Sequence, residues 1–168
     1  MSSRVWKTAC FGLLTALAFV FSYLESLISL NIGIPGIKIG LANLVVVAAL
    51  YLFPVKYAFF IAVIRIILSG FTFGGISAML FSLAGGILSF AVMAVLKKTN
   101  RFSVTGVSVA GGIAHNAGQI IAAAFVTKTA QIIYYIPVLV ISGTAAGFLI
   151  GIISGIIINR LEKVIKND

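Results

Sequence analysis

The segment Val104–Lys128 is apolar except near its centre, which reads His115-Asn116-Ala117-Gly118-Gln119. An imidazole and two carboxamides supply hydrogen-bond donors and acceptors with little charge. His115 and Gln119 are four residues apart and Asn116 and Gln119 three apart, so on a helix all three fall on or near one face. Arg65 interrupts a second apolar run, Tyr57–Ser69. An arginine keeps its proton almost anywhere in a protein. It therefore needs carbonyls, polar side chains, water or an anionic ligand around it. These residue types suit a molecule bearing a carboxylate, a phosphate or an electron-rich carbonyl. The alternative use is hydrogen bonding between helices, worth about 0.6–2 kcal/mol per contact. The chain has three acids, Glu25, Glu162 and Asp168. None falls inside a predicted apolar span, so none is expected to neutralise Arg65.

The elements that must position these groups are fit for lipid. Of the 168 residues, 61% are hydrophobic and only 9% charged, and the mean hydropathy is +1.22. A soluble domain carries about 25% charged residues. Apolar runs long enough to cross a bilayer recur along the chain. Six are predicted: Trp6–Leu24, Ile39–Phe53, Val55–Ser69, Ile76–Leu96, Val104–Thr127 and Ile132–Ile158. The fold class is an all-α integral membrane protein, with residues 1–168 forming one transmembrane domain. The first run is read as a retained helix, because five more follow and no small-residue cleavage site closes it. The second and third runs are short, which implies tilt or shielding by protein. A four-span arrangement would make them one re-entrant hairpin.

The charge of +9 sits mostly at the ends of apolar runs, as topology signals do, which argues against a nucleic-acid partner. With the N-terminus inside, one side collects Arg4, Lys7, Lys56, Lys97, Lys98, Arg101, Arg160, Lys163 and Lys166, and the other receives Lys38 and Lys128. The expectation is N-in and C-in, with an even number of spans, in the cell membrane. The sole cysteine, Cys10, excludes an internal disulfide and a multi-cysteine metal site.

In this topology His115 and Arg65 both lie about ten residues from the cytoplasmic ends of their spans, hence at similar depth at 1.5 Å per residue. That geometry allows a shared polar site near mid-membrane, with helix rotation deciding whether the two meet. Lys38 and Asn43 approach it from the outer loop and the next helix. Tyr134 and Tyr135 stand near the outer end of the last span, as interfacial belt residues or as a stacking wall for a flat ligand. Phe71 and Phe73 could cap the same cavity. Gly143, Gly147, Gly151 and Gly155 recur every four residues, a ridge that lets helices approach closely. Ala9, Gly12 and Ala16 form a related pattern on the first helix, for internal packing or for a partner membrane protein.

Several strings occur in order: Pro35-Gly36-Ile37-Lys38-Ile39-Gly40-Leu41-Ala42-Asn43, Arg65, Phe73-Gly74-Gly75, Ser82-Leu83-Ala84-Gly85-Gly86, the His115–Gln119 patch and Tyr134-Tyr135-Ile136-Pro137. Over nearly its whole length the chain resembles the Gx transporter family, often labelled heptaprenyl diphosphate synthase component I. That family is similar in size and topology to the substrate-binding S components of energy-coupling factor (ECF) vitamin transporters. The resemblance implies a six-helix bundle enclosing a ligand site towards the outer side. It also implies a first helix whose small residues, here Gly12 and Ala16, meet a coupling subunit. The chain has no Gly-rich phosphate loop ending in Lys-Ser/Thr, so energy would come from separate coupling and ATPase subunits. Capture by the loop after the first helix, closure and partner-driven reorientation would follow.

Three functions stay open. One is capture of a vitamin, flavin or isoprenoid-related compound for import. Another is a membrane component of a flavin- or quinone-based extracellular electron-transfer system, with flavin or quinone as the bound group. The last is an accessory subunit in prenyl diphosphate or menaquinone metabolism. The chain is not expected to be an enzyme. Prenyl synthases hold diphosphate through magnesium on aspartate-rich motifs, magnesium needs oxygen ligands, and the one aspartate here is the last residue. Ser142-Gly143-Thr144-Ala145, faintly similar to a flavin-attachment motif, is read as helix packing.

Overall fold

A computed structural model of the chain describes residues 3–28 and 39–167. Lys38 and the predicted outer loop before it lie outside the described residues. Six α-helices follow in order: α1 Ser3–Leu27, α2 Leu41–Leu52, α3 Val55–Ser69, α4 Ile76–Thr99, α5 Val104–Thr127 and α6 Ile136–Asn167. A π-helical turn, Gly70–Gly74, links α3 to α4, and a 3₁₀ segment, Ala130–Tyr135, precedes α6. No strand occurs among the described residues.

Five helical stretches are long and apolar enough to cross a membrane: Thr8–Leu27, Val55–Gly74, Ile76–Thr99, Val104–Thr127 and Ile136–Lys163. The third predicted run is therefore not short. The π turn extends α3 through Gly74, to 20 residues. The second run is short, because α2 has 12 residues and a length of about 18 Å. Its residues Val45–Leu50 are all buried, so neighbouring helices shield it. A helix so placed is walled by protein rather than by lipid.

Local sequence sets the breaks. Pro54 caps α3 with φ −55°, the angle its ring imposes. Asn100 ends α4 in the left-handed region at φ 52°. Ser103 starts α5, its hydroxyl accepting from the Gly106 N–H at 3.1 Å, a standard N-cap. The Lys97 ammonium donates to the Leu50 carbonyl near the end of α2 and lies 5.2 Å from the Tyr51 ring centroid.

The helices close into a ring. α1 packs on α2 and α3, α3 on α4, α4 on α5, α5 on α6, and α6 returns to α2. Glycines set the closest approaches. A Cβ at Gly147 would lie 2.7 Å from the Val109 Cα, and one at Gly151 2.6 Å from the Thr105 Cα. A Cβ at Gly118 would lie 2.9 Å from the Ala84 carbonyl oxygen. α5 is thus pressed between α4 and α6, and three of the four ridge glycines on α6 touch it. Gly155 has no atom near its added Cβ. Outward faces carry exposed apolar residues such as Leu13, Phe125 and Ile141, as a lipid-facing surface requires. Ala9, Gly12 and Ala16 are also exposed on α1, so they do not pack internally.

Gly147→Leu is expected to lower stability by about 1–3 kcal/mol through overpacking, read as a fall in the thermal unfolding midpoint in detergent. Gly155→Leu in the same helix should leave that midpoint nearly unchanged.

Candidate functional site

The ring encloses two adjoining cavities. The smaller, about 60 Å³, is lined from all six helices, with Asn43, Arg65, Ser89, Ser108 and His115 as its polar side chains along with Glu25 and Ser82. The larger, about 360 Å³, lies between the end of α1, the end of α3, the π turn and the start of α4. That volume falls within the range of small-molecule pockets. Glu25, Ile39, Arg65 and Ser82 line both. They form the partition between the two spaces.

Glycine shapes these walls. A Cβ at Gly70 would lie 2.5 Å from the Met79 Cβ, so the end of α3 meets the start of α4 at glycine distance. The Gly75 N–H bonds the Gly70 carbonyl at 2.9 Å, five residues back, which widens the turn. Gly75 has φ 78°, a conformation that favours glycine. The turn sets Phe73 against Phe19 and Tyr23, at ring-centroid distances of 5.8 and 5.6 Å. Phe73 lines the larger cavity. Phe71, 73% exposed, does not.

Arg65 of α3 is held by two neighbouring helices. Its Nη2 donates to the Asn43 Oδ1 at 2.8 Å, and its Nη1 to the Ser22 Oγ at 3.4 Å. The Ser22 hydroxyl spends its own proton on the Ala18 carbonyl at 3.0 Å, which leaves its oxygen as an acceptor. The Arg65 Nε is buried and makes no hydrogen bond among the described residues, and the same holds for the Ser69 Oγ. Arg65 and Ser69 are one helical turn apart on α3 and both line the larger cavity.

The expectation that no acid inside a span could serve Arg65 is overturned. α1 continues past Leu24 to Leu27, so Glu25 sits in its last turn. A carboxylate there opposes the helix dipole. It is compensated across the gap, because Glu25 Oε1 accepts from the Gly40 N–H at the start of α2, where negative charge is favoured. Gly40 has φ 83°. The Glu25 charge acts electrostatically on the Arg65 guanidinium.

The polar patch on α5 divides. His115 lines the smaller cavity with Arg65 and Asn43, so the similar depths inferred from the sequence do bring them together. Asn116 turns to α6, where its Nδ2 donates to the Leu139 carbonyl at 2.6 Å and the Ser142 Oγ at 3.3 Å. Gln119 is buried and packs at the α4 crossing, where a Cβ on Gly85 would lie 2.8 Å from its Cγ. The physical reason is angular. At about 100° per residue, Asn116 points well away from His115. Tyr134 and Tyr135 are 85% and 47% exposed and line neither cavity. Ser142 and Gly143 pack α6 on α5, as read from the sequence. Sequence reasoning missed Ser22, Glu25 and the three serines Ser82, Ser89 and Ser108. Ser82, Ser89 and Glu25 carry a legible signal, since Ser82 and Ser89 are seven apart on α4 and Glu25 is a rare acid.

Residues 14–157 match the family model described as heptaprenyl diphosphate synthase component I. Comparison with curated proteins and with solved structures returns no match.

Asn116→Ala is expected to cost about 0.6–2 kcal/mol of stability in thermal unfolding while leaving the cavities intact. In a Cys10→Ser background, Ser26→Cys, exposed on the larger cavity, should react quickly with a small charged thiol reagent. Ser89→Cys, buried on the smaller one, should react far more slowly, and equal rates would show that the partition does not close it off.

Proposed function

The chain belongs to the heptaprenyl diphosphate synthase component I family, and on that premise we propose that it is a substrate-binding membrane subunit. It captures a small anionic or aromatic molecule, such as a vitamin, flavin or isoprenoid-related compound, for transport. The observation that carries this reading is the larger cavity with Arg65 and Ser69 on its wall. A guanidinium on the wall of a cavity is a ready partner for an incoming oxygen anion, and its planar fork favours carboxylate or phosphate geometry. Asn43 and Ser22 aim it. Phe73, beside Phe19 and Tyr23, offers an aromatic wall for a flat, apolar part of the ligand.

In this reading the six helices run N-in and C-in, and the larger cavity opens to the outside. His115 and Asn43 then line the smaller space behind Arg65 and meet the ligand when its deeper end passes the partition. The exposed Ala9, Gly12 and Ala16 on α1 meet a coupling subunit in the manner of ECF S components, with ATP hydrolysis supplied by partners. The family description favours a second reading, an accessory subunit that holds an isoprenoid diphosphate for a separate catalytic chain. Its polar head would meet Arg65 and its tail the apolar wall.

Purification in detergent followed by mass spectrometry and absorbance of co-purifying small molecules tests both. A water-soluble vitamin or nucleotide-like ligand supports import, an isoprenoid diphosphate supports the accessory role, and a quinone would sink the import reading. Arg65→Ala should weaken binding of the recovered ligand by about 10–100-fold, the loss of one charge-assisted contact. Unchanged affinity removes Arg65 from the site.

A further inference from the structure

Arg65 and Glu25 are two of the four residues that line both cavities, and they carry opposite charges. Among the described residues no direct hydrogen bond joins them, and the Glu25 charge acts on Arg65 across the space between. Arg65 is tied to Asn43 and Ser22, and Glu25 to the Gly40 N–H. Each is thus positioned by neutral groups on the neighbouring helices, with the space between them belonging to the cavities. Arg65 keeps its Nε free of protein partners among the described residues. Glu25 has about four acceptor positions, of which the Gly40 N–H takes one. The other polar residues on these walls are serines, Asn43 and His115. With the imidazole neutral, the described lining has no net charge.

A site of low dielectric discriminates strongly by charge, because an unbalanced ion there loses its hydration without recovering it. We infer that Glu25 is a specificity-determining residue of this site, one that cancels the Arg65 charge so that the cavity takes a zwitterionic ligand, with its acidic group on Arg65 and its cationic group towards Glu25, and rejects polyanions such as a diphosphate. The inference rests on the substrate-binding reading and narrows it. It weighs against an isoprenoid diphosphate as the natural occupant. It also gives Glu25 a task that a purely structural helix tie would not need, since a neutral glutamine could accept the same Gly40 hydrogen bond.

The test uses the full chain in detergent, with inorganic diphosphate as the probe and isothermal titration as the readout. The wild type should bind diphosphate at least about tenfold more weakly than Glu25→Gln, as expected when a like charge is removed from a desolvated site. The gain should vanish in the double variant Glu25→Gln/Arg65→Gln, and Glu25→Asp should reject diphosphate as the wild type does. Equal diphosphate affinity in wild type and Glu25→Gln, including no binding by either, overturns the inference. Should Glu25→Gln fail to fold, the wild type itself decides through two probes of similar shape, tryptophan and indole-3-propionate. Preference for the zwitterion supports the assignment, and preference for the anion, or none, overturns it. Failure here is separable from failure of the binding role. Ligand lost in Arg65→Ala with no Glu25-dependent discrimination removes this inference only, whereas ligand kept in Arg65→Ala removes the binding role assigned to that residue.

Discussion

A guanidinium cannot shed its proton to escape a low-dielectric surrounding, so a helix that carries one into a bundle obliges its neighbours to answer the charge. Arg65 imposes that obligation here. α2 answers with Asn43 and α1 with Ser22, and Glu25 contributes a compensating field. These contacts draw the ends of α1 and α2 around the middle of α3. They also explain why the chain can leave space beside them. The charge is answered at two of its nitrogens, and the third is buried without a hydrogen bond among the described residues.

Space inside a helical bundle is hard to keep, because apolar side chains collapse into it. This chain keeps it with glycine. On the α4–α5–α6 side, Gly118, Gly147 and Gly151 bring backbones together, so those three helices form a tight wall. Gly112 and Gly143, which line the smaller cavity, are close approaches of the same kind, an added Cβ at Gly112 meeting the Gly143 carbonyl oxygen. α2 contributes from the opposite side. Its 12 residues are too few to span a bilayer alone, and burial among its neighbours relieves it of that requirement.

The family description and the lining chemistry bear on each other. A subunit named for a prenyl diphosphate pathway would be expected to offer several cations to a diphosphate. Among the described residues the cavity walls offer one guanidinium and one carboxylate. Magnesium-assisted diphosphate transfer depends on grouped oxygen ligands, and these walls carry a single carboxylate among the described residues. No group of three histidine, cysteine or acidic side chains gathers among the described residues.

Much of this was legible in the residues. Apolar runs bounded by Pro54, Asn100-Arg101 and paired glycines mark the six helices, because lipid permits few polar interruptions and helix breakers are unambiguous. Arg65 and His115 stood out in the sequence because a polar group in an apolar run has to be accounted for, and both line one cavity. Gly143, Gly147 and Gly151 of the α6 ridge were recognisable as packing for the same kind of reason, a four-residue period on one face, which Gly155 shares without the contact. Partner choice was not legible. Whether Asn116 turns to the cavity or to Leu139 depends on the rotation of α5 between two neighbours, and one residue step is about 100°. Whether Glu25 lies outside the bundle or beside Arg65 depends on one further turn of α1 and on where α2 begins. The sequence by itself determined the solvent, the helices and the need to satisfy one buried charge, since those follow from local composition. Only the tertiary structure decided which groups satisfy it and where space remains, because both depend on helix rotations and crossing distances that close packing sets collectively.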